Sequence, residues 1–210
     1  MEKSEGDFSR LALESKQMEE LRGAEAVLKG KKVDGEKALC KIRGKKGYRN
    51  ALLDAKLRKG RTKREAKLMQ KASEAGVPCP AVFGVREFEI DFSFIEGRLA
   101  SEMRLDGNAL KESARLLSLL HSINIIHGDY TPANLIIGKG GRVSVIDFGL
   151  GFFSHKLEDK AVDVFTMKQA LEGGMGKKFV EEYEKFGEKG VVERMREVES
   201  RARYRERKEK

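Results

Sequence analysis

Three polar side chains between residues 127 and 149 have the types and spacing to hold a metal ion and a phosphate. The segment reads HGDYTPANLIIGKGGRVSVIDFG, with Asp129 and Asn134 five residues apart and Asp147 thirteen residues further on. Two apolar stretches joined by GKGG predict a hairpin that returns Asp147 to the end at which Asn134 lies. Carboxylate and amide oxygens are hard ligands that suit Mg²⁺, which usually binds one or two carboxylates together with substrate phosphates. The segment therefore predicts a phosphate-and-magnesium site rather than two surface turns with unrelated acids.

The same order of residues is typical of the phosphoryl-transfer site of protein kinases. In that arrangement a loop aspartate acts as the base, and an asparagine and the aspartate of Asp-Phe-Gly bind Mg²⁺. These roles fall on Asp129, Asn134 and Asp147 respectively. Phosphoryl transfer needs a positioned nucleophile and screening of the developing negative charge, and a base with two metal ligands supplies both.

A kinase site also needs a lysine that binds the nucleotide phosphates and a helical glutamate that pairs with it. Lys41 is the candidate, because it lies in the apolar stretch ALCKI, where an unpaired ammonium group would be costly. Glu65, in the following basic segment, is the candidate partner. The alternatives are a surface lysine on an edge strand and a surface ion pair on the helix.

The glycine-rich loop that covers the phosphates in most kinases is absent from this sequence. The turn between the first strands contains a single glycine, and its backbone amides are the candidate phosphate contacts. That turn comprises Gly23, Ala24, Glu25 and Ala26.

The elements that must position these residues begin with strands. Residues 18–42 predict short antiparallel strands around Asp34-Gly35, which is a favoured hairpin dipeptide. A basic helix is predicted from about residue 50 to 73, and it ends at the turn 76–80, since the prolines there cannot continue a helix. Residues 81–95 predict two further strands.

Helices dominate the second half of the sequence. Between Asp106 and Ser122 apolar residues recur at helical spacing, and further helices are predicted for 159–171 and from 190 onward. Another is predicted around 179–186, where Phe179, Tyr183 and Phe186 form an apolar stripe. We therefore predict an α+β, bilobal protein-kinase-like fold with a small β-rich N-lobe, a reduced and mostly helical C-lobe, and a ligand crevice between them. The predicted boundary divides the chain into an N-lobe at 1–97 and a C-lobe with a basic tail at 98–210.

Composition narrows the class of protein further. The 210 residues are 40% apolar, which is enough for a packed core, and no apolar run approaches the length of a membrane span. The N-terminal sequence lacks the apolar region of a secretory signal. Cys40 and Cys79 have no metal-binding spacing, so they are expected to be free thiols, with a disulfide as the alternative. These features predict a cytoplasmic protein with no membrane association.

Positive charge is concentrated in one part of the chain. The formal net charge is +9, but residues 29–71 contain 17 Lys or Arg against 4 Asp or Glu, a local net of +13, which leaves about −4 elsewhere. Residues 201–210 form a second basic stretch. Either stretch could be a solvated surface or, in the tail, a frayed helix end; both could equally attract a polyanion such as RNA.

Two features of most protein kinases are missing. The usual His-Arg-Asp is His127-Gly128-Asp129, so no arginine precedes the base to bind a phosphorylated activation loop. Only sixteen residues separate Asp147 from Asp163, with no Ala-Pro-Glu between them. The sequence therefore predicts little room for a peptide-docking platform and no regulation by loop phosphorylation.

The motifs HGDYTPANLII and VIDFG alone resemble those of several kinase-like groups, including aminoglycoside phosphotransferases and RIO kinases. The preceding segment, with KIRGKKGYRNALLDAKLRKGRTKREA and then Gly76-Val77-Pro78, resembles more specifically the small atypical kinase of the KEOPS complex. The resemblance runs from about Gly23 to Leu171 and continues weakly into RARYRERK. The glycine of Asp147-Phe148-Gly149 distinguishes the chain from RIO kinases, which usually lack it.

The resemblance implies a minimal Ser/Thr kinase that also hydrolyses ATP. It also implies that the protein acts together with the threonylcarbamoyl-transferase subunit and the other KEOPS subunits. That complex makes the threonylcarbamoyl modification of adenosine 37 in certain tRNAs. On this basis Lys41 and Glu65 orient ATP, the Gly23–Ala26 turn covers its phosphates, and tRNA contacts fall on 29–71 and 201–210. The implied adenine-facing hinge consists of Phe92, Ser93 and Phe94.

Two departures from the family pattern are visible, and two other functions stay open. Ser93 stands where an acidic residue is usual, and Tyr204-Arg205-Glu206 replaces a more glycine-containing basic tail. The short segment after Asp-Phe-Gly also suits a small-molecule phosphotransferase of the aminoglycoside type. A non-catalytic RNA scaffold would explain the basic segment but not the complete set of catalytic residues.

Overall fold

The computed structural model describes residues 21–22 and 26–208, with side chains from 26 to 202, as a sheet-rich half followed by a helical half. The strands are β1 (Leu21–Arg22), β2 (Val27–Val33), β3 (Glu36–Ile42), β4 (Val82–Val85), β5 (Glu89–Ser93), β6 (Arg98–Leu99), β7 (Ile125–Ile126), β8 (Leu135–Ile137), β9 (Val143–Val145) and β10 (Phe152–Phe153). The helices are α1 (Ala51–Glu74), α2 (Gly107–Ser122), α3 (Leu157–Ala170), α4 (Met175–Phe186) and α5 (Val191–Lys208).

The first half is an antiparallel sheet of five strands in the order β1-β2-β3-β5-β4. The β2–β3 hairpin turns at Asp34 and Gly35, both with positive φ (50° and 85°), as a type I′ turn requires. This order places β3 in the middle of the sheet, where Lys41 pairs with Leu28 on one side and Ile90 on the other. Lys41 is therefore held by strands on both sides, and the edge-strand alternative is excluded.

Helix α1 crosses the sheet and presents only part of its length to the core. Asn50 caps its first turn by accepting hydrogen bonds from the N–H groups of Leu52 and Leu53. At the other end the N–H of Val77 donates to the Ala72 carbonyl, and Gly76 takes a left-handed conformation, a common helix stop. Apart from Asp54 in the first turn, the buried side chains of the helix lie from Thr62 onward and include Glu65.

In the second half α2 packs against α4, and α3 packs against both α4 and α5. Asp106 caps α2 by accepting from the N–H of Ala109 at 2.7 Å, and a nearly continuous set of α2 side chains is buried against α4 and β9. A three-stranded sheet, β6-β8-β9, and a short β7–β10 pair lie beside these helices. Between them run the two loops that carry Asp129 and Asp147.

The predicted elements are present with boundaries shifted by a few residues at most, and the α+β class is confirmed. Strands β6, β7 and β10 were not predicted, because two-residue strands carry no period of their own. Phe186, predicted to share an apolar stripe with Phe179 and Tyr183, is 41% exposed, whereas those two are fully buried. Residues 18–20 of the predicted first strand lie outside the described residues.

Candidate active site

Asp163 on α3 fixes the loop that presents Asp129. Its carboxylate accepts the backbone N–H of His127 at 2.6 Å and that of Gly128 at 2.8 Å. Gly128 has φ +80°, and a Cβ there would lie 2.6 Å from the Leu150 carbonyl oxygen. The residue before the base must therefore be glycine, which gives a structural reason for the missing arginine.

In the sequence, Asp163 served only to measure the length of the segment after Asp147. Its role in holding the backbone of His127 and Gly128 was not predicted. The carboxylate is 1% exposed and also meets Nε2 of the buried His121 at 3.3 Å, while Nδ1 of His121 lies 2.7 Å from the Tyr183 hydroxyl. Burial lowers the pKa of His121, although Asp163 opposes the shift, so the ring is neutral. His121 is thus a structural residue, and His155 is exposed.

Asn134 and Asp129 lie side by side in the candidate site. The amide nitrogen of Asn134 donates to the Asp129 carbonyl at 2.8 Å and to its carboxylate at 2.9 Å. The backbone of Asn134 accepts from the N–H of Ile146 at 3.0 Å, which fixes it next to the residue before Asp147. Because the nitrogen faces Asp129, the amide oxygen is the atom left to bind a cation.

Asp147 joins this group from the other side of the β8–β9 hairpin. It has φ +57°, and one carboxylate oxygen accepts from Lys41 Nζ at 2.8 Å and from the N–H of Gly149 at 3.0 Å. Burial alone would raise the pKa of Asp147, but the Lys41 charge and these hydrogen bonds lower it to about 2. The carboxylate is therefore ionised at neutral pH.

The structure brings together the predicted pair of Lys41 and Glu65. Lys41 Nζ lies 2.7 Å from Glu65 Oε1, and their side chains are 9% and 2% exposed. Burial would lower the pKa of Lys41, but the charges of Glu65 and Asp147 raise it above the usual value. One ammonium group therefore links a carboxylate on α1 to one in the loop after β9.

A second cation, Arg43, contacts Glu65 and was not predicted. Its guanidinium donates to Glu65 Oε2, opposite the oxygen bound by Lys41, and the side chain is 4% exposed. Arg43 stands two residues after Lys41, so both side chains point to the same side of the strand. That spacing was the sequence signal available for finding it.

An apolar cavity of about 70 Å³ adjoins Lys41, Glu65 and Asp147 and has the position of a base-binding pocket. Its apolar walls come from both halves of the chain, among them Leu28, Leu39, Met69, Phe92, Leu99, Ile136 and Ile146.

The predicted hinge residues Phe92, Ser93 and Phe94 all line this cavity. The N–H of Ser93 donates to the Ala81 carbonyl and that of Phe94 to the Lys37 carbonyl. These two N–H groups are therefore already paired within the sheet and are not the ones available to a ligand. Of the predicted phosphate turn, Ala26 is half-buried, and Gly23, Ala24 and Glu25 lie outside the described residues.

An open groove of about 1430 Å³ continues from this cavity past the three polar residues. Asp129, Asn134 and Asp147 line it, between residues 99–105 on one side and 170–175 on the other. Asp147 and Leu99 line both spaces, so a molecule in the cavity and one in the groove would meet at Asp147.

The donor set fits Mg²⁺. Asp147 is ionised, the Asn134 oxygen is oriented by its nitrogen, and both side chains line the same groove with room for substrate phosphates. Two protein oxygens plus phosphate are what Mg²⁺ prefers. Within the described part of the chain no three His, Cys, Asp or Glu side chains form a metal-binding cluster, so the fit rests on the Asp–Asn pair.

The basic segment divides into buried and exposed cations. Lys41 and Arg43 are buried in the site, whereas α1 carries six exposed basic side chains. Those six are Lys56, Lys59, Lys63, Arg64, Lys67 and Lys71. In the tail, Arg201 pairs with Glu158 at 2.6 Å, α5 continues to Lys208, and residues 209–210 lie outside the described part.

Cys40 and Cys79 are free thiols, as predicted. Burial raises the pKa of Cys40 to about 11 and that of Cys79 to about 12, so neither is a reactive thiolate. Among the described helices none is long and apolar enough to cross a bilayer.

Fold and site together define the protein-kinase-like class. The Rio2 kinase of Chaetomium thermophilum, solved as an ADP/Mg²⁺-phosphoaspartate complex, superposes with a TM-score of 0.61 at 15% identity, over 88% of this chain and 65% of that one. The RIO domain model matches residues 32–165. The chain belongs to the RIO-domain family and, within it, to the BUD32 family, as two relatives that it covers almost entirely show.

Two of those relatives match over nearly their whole lengths. The EKC/KEOPS complex subunit BUD32 of Encephalitozoon cuniculi is 37% identical, over 88% of this chain and 95% of its own. The probable serine/threonine-protein kinase BUD32 homolog of Archaeoglobus fulgidus is 38% identical, over 82% and 91%. Gly149, predicted to set the chain apart from RIO kinases, therefore does not exclude it from the RIO-domain family.

Other relatives are much longer proteins. The probable bifunctional tRNA threonylcarbamoyladenosine biosynthesis protein of Methanosarcina acetivorans is 35% identical over 87% of this chain. The chain spans 35% of that relative's length.

Proposed function

We propose that this protein is a minimal atypical Ser/Thr kinase and ATPase that uses MgATP and acts in a KEOPS complex for threonylcarbamoyl modification of tRNA adenosine 37. The observation that carries the enzymatic part is the chain of ion pairs from Glu65 through Lys41 to Asp147. It ends where the apolar cavity meets the groove that holds Asp129 and Asn134. The names of the full-length relatives support the place in the complex.

Each residue of the site has a separate part in the reaction. Lys41, held by two carboxylates, donates its remaining N–H to the nucleotide phosphates, and Asp147 with Asn134 hold Mg²⁺. When bound, Mg²⁺ neutralises charge that develops on the transferred phosphoryl group. Asp129 accepts the proton of the attacking hydroxyl or water, and Asp163 keeps its loop in register.

The partner proteins follow from the relatives rather than from the fold. The threonylcarbamoyl-transferase subunit is the expected neighbour, since the bifunctional relatives are named for the synthesis of the same modified nucleoside. Transfer RNA is expected to contact the exposed cations of α1 and the tail at 201–210. Cytoplasmic location is expected with this role.

The test is steady-state ATP turnover by the protein alone, with the transferase subunit, and with that subunit plus tRNA. Asp129→Asn should lower turnover by about 10²–10⁴-fold, the usual effect of losing a positioned base, and Asp147→Asn should abolish Mg²⁺-dependent turnover. Glu181→Gln, an exposed carboxylate on α4, is the matched control and should keep full activity.

The acceptor is decided in the same assay. Phosphate release that rises with partner and tRNA identifies hydrolysis as the main reaction, whereas label transferred to Ser or Thr identifies protein phosphorylation. Wild-type turnover in Asp147→Asn would refute the assignment of the site.

A further inference from the structure

Glu65 is held by two cations rather than one. Lys41 binds its Oε1 and Arg43 its Oε2, and all three side chains are nearly excluded from solvent. Lys41 also binds Asp147 and lines the apolar cavity beside it. The two cations therefore hold opposite oxygens of one carboxylate, and of the two it is Lys41 that lines the cavity.

Lys41 must divide its hydrogen bonds when the site is loaded. Its ammonium group has three N–H donors, of which Glu65 and Asp147 take two. A nucleotide phosphate at Lys41 and a cation at Asp147 both pull on this group. Without a second partner, Glu65 would then be a buried carboxylate with a weakened counter-charge, which is costly.

Arg43 is placed to remove that conflict. Its exposed fraction of 4% leaves little surface for a nucleotide, so it stays with Glu65 while Lys41 is shared. Its backbone N–H donates to the Phe88 carbonyl at 2.9 Å, which extends the sheet pairing beyond the end of β3 and fixes the residue in place.

Arg43 also lies against the Asp147–Gly149 turn. A Cβ on Gly149 would lie 3.4 Å from Arg43 Nη2, 3.4 Å from Lys41 Nζ and 2.8 Å from Asp147 Oδ1. The two cations and the metal-binding carboxylate thus meet around one glycine. Movement of Arg43 would disturb both Glu65 and this turn.

We propose that Arg43 is a positioning residue that anchors Glu65, and with it helix α1, independently of Lys41. The position of α1 against the site is then built into the fold and needs no phosphorylated loop. This inference rests on the proposed function for its kinetic consequences but not for its structural ones.

The test compares Arg43→Met, Arg43→Lys, Lys41→Met and the double variant Lys41→Met/Arg43→Met. Hydrogen exchange of the amides of residues 62–69, on the buried half of α1, reports the helix directly. Lys41→Met should keep wild-type protection because Arg43 still holds Glu65, whereas the double variant should lose at least about tenfold in protection.

The kinetic arm separates positioning from a general loss of stability. Arg43→Met should lower kcat/KM for ATP about tenfold or more through kcat as well as KM, and Arg43→Lys should restore part of it because an ammonium group can reach one Glu65 oxygen. Arg115→Met, on α2 and paired with Glu112, is the control for loss of an arginine elsewhere.

Two outcomes would overturn the proposal. One is an Arg43→Met variant with wild-type exchange on α1 and wild-type ATP kinetics; the other is a Lys41→Met variant as unprotected as the double. If the wild-type protein turned over no ATP at all, the proposed function would fail, and the exchange experiment would still decide the role of Arg43.

Discussion

Gly149 is the residue on which the geometry of the site depends most closely. Its N–H donates to Asp147 at 3.0 Å, and it offers no side chain where two cations and a carboxylate converge. An added Cβ would lie 2.8 Å from Asp147 Oδ1, closer than a non-bonded contact allows. The Asp147 carboxylate would have to move.

We therefore expect Gly149→Ala to lower ATP turnover by about 10²-fold, the cost of a displacement near 1 Å at a reacting centre. Turnover at saturating Mg²⁺ and ATP, together with the thermal midpoint, measures it. Gly60→Ala is the control, because a Cβ there meets nothing within 4 Å on exposed α1. It should leave turnover unchanged and stabilise the fold by about 0.5–1 kcal/mol. Equal turnover in both variants would contradict the crowding argument.

Between elements, Asp91 on β5 connects parts of the sheet that are distant in sequence. Its carboxylate binds Lys31 of β2 at 2.8 Å and Arg86, before β5, at 2.8 Å, and the side chain is 7% exposed. Burial would raise the pKa of Asp91, but the hydrogen bonds of Arg86 and Lys31 lower it to about 2. A folded-state pKa below the unfolded one means that stability is present above the unfolded pKa and is lost as pH falls through the folded one.

From these values Asp91 should contribute about 2 kcal/mol to the free energy of unfolding above pH 4, and this contribution should disappear towards pH 2. Asp91→Asn should remove it, and the loss should be greatest at neutral pH. Denaturant unfolding at a series of pH values tests this. Asp147 also has a pKa of about 2, so the free energy of unfolding of the variant should still fall in acid, but by less than that of the wild type. Curves for wild type and Asp91→Asn that stay parallel from pH 7 to 2 would contradict the assignment.

At the same scale, the sequence predicted most elements because their patterns are local. The Asp34-Gly35 turn, the prolines after α1 and the stripe of α2 each specify one element without reference to the rest. Asp163 and Arg43 were missed because their importance comes from partners distant in sequence; His127, for example, is 36 residues from Asp163. A buried carboxylate that fixes backbone N–H groups leaves no periodic signal.

The residues of the candidate site have clearer sequence signals than the residues around them. The Asp129, Asn134 and Asp147 motifs have fixed spacing, and Lys41 stood out as a cation in an apolar strand. Glu65 needed the register of α1 against β3, which local patterns define only approximately. The one sequence signal for a second cation on the same glutamate is the spacing of Arg43, two residues after Lys41 in the strand pattern.

Over the whole molecule, the basic segment 29–71 supplies cations to two separate places, the interior of the candidate site and the protein surface. Inside the fold, Lys41 and Arg43 are neutralised by Glu65 and Asp147. The remaining positive charge of the segment 29–71 is therefore carried largely by side chains on the surface. Such a field attracts a polyanion without requiring any change at the site.

Four of the exposed lysines of α1 lie on one face of the helix, because their spacings of 3, 4 and 4 residues follow the helical repeat. They are Lys56, Lys59, Lys63 and Lys67. Changing all four to Gln should weaken tRNA binding and reduce its salt slope by about one unit for each phosphate that is no longer neutralised. Binding isotherms at several salt concentrations, with ATP binding measured in parallel, test this.

The matched control neutralises four exposed lysines of the helical half, Lys177, Lys178, Lys185 and Lys189. It removes the same net charge, so a uniform charge effect would weaken both variants equally. We expect only the α1 variant to lose affinity and slope, with ATP binding retained in both, because the nucleotide cavity is lined from the interior of the fold. Equal losses in the two variants would show that net charge, and not this face of α1, attracts the RNA.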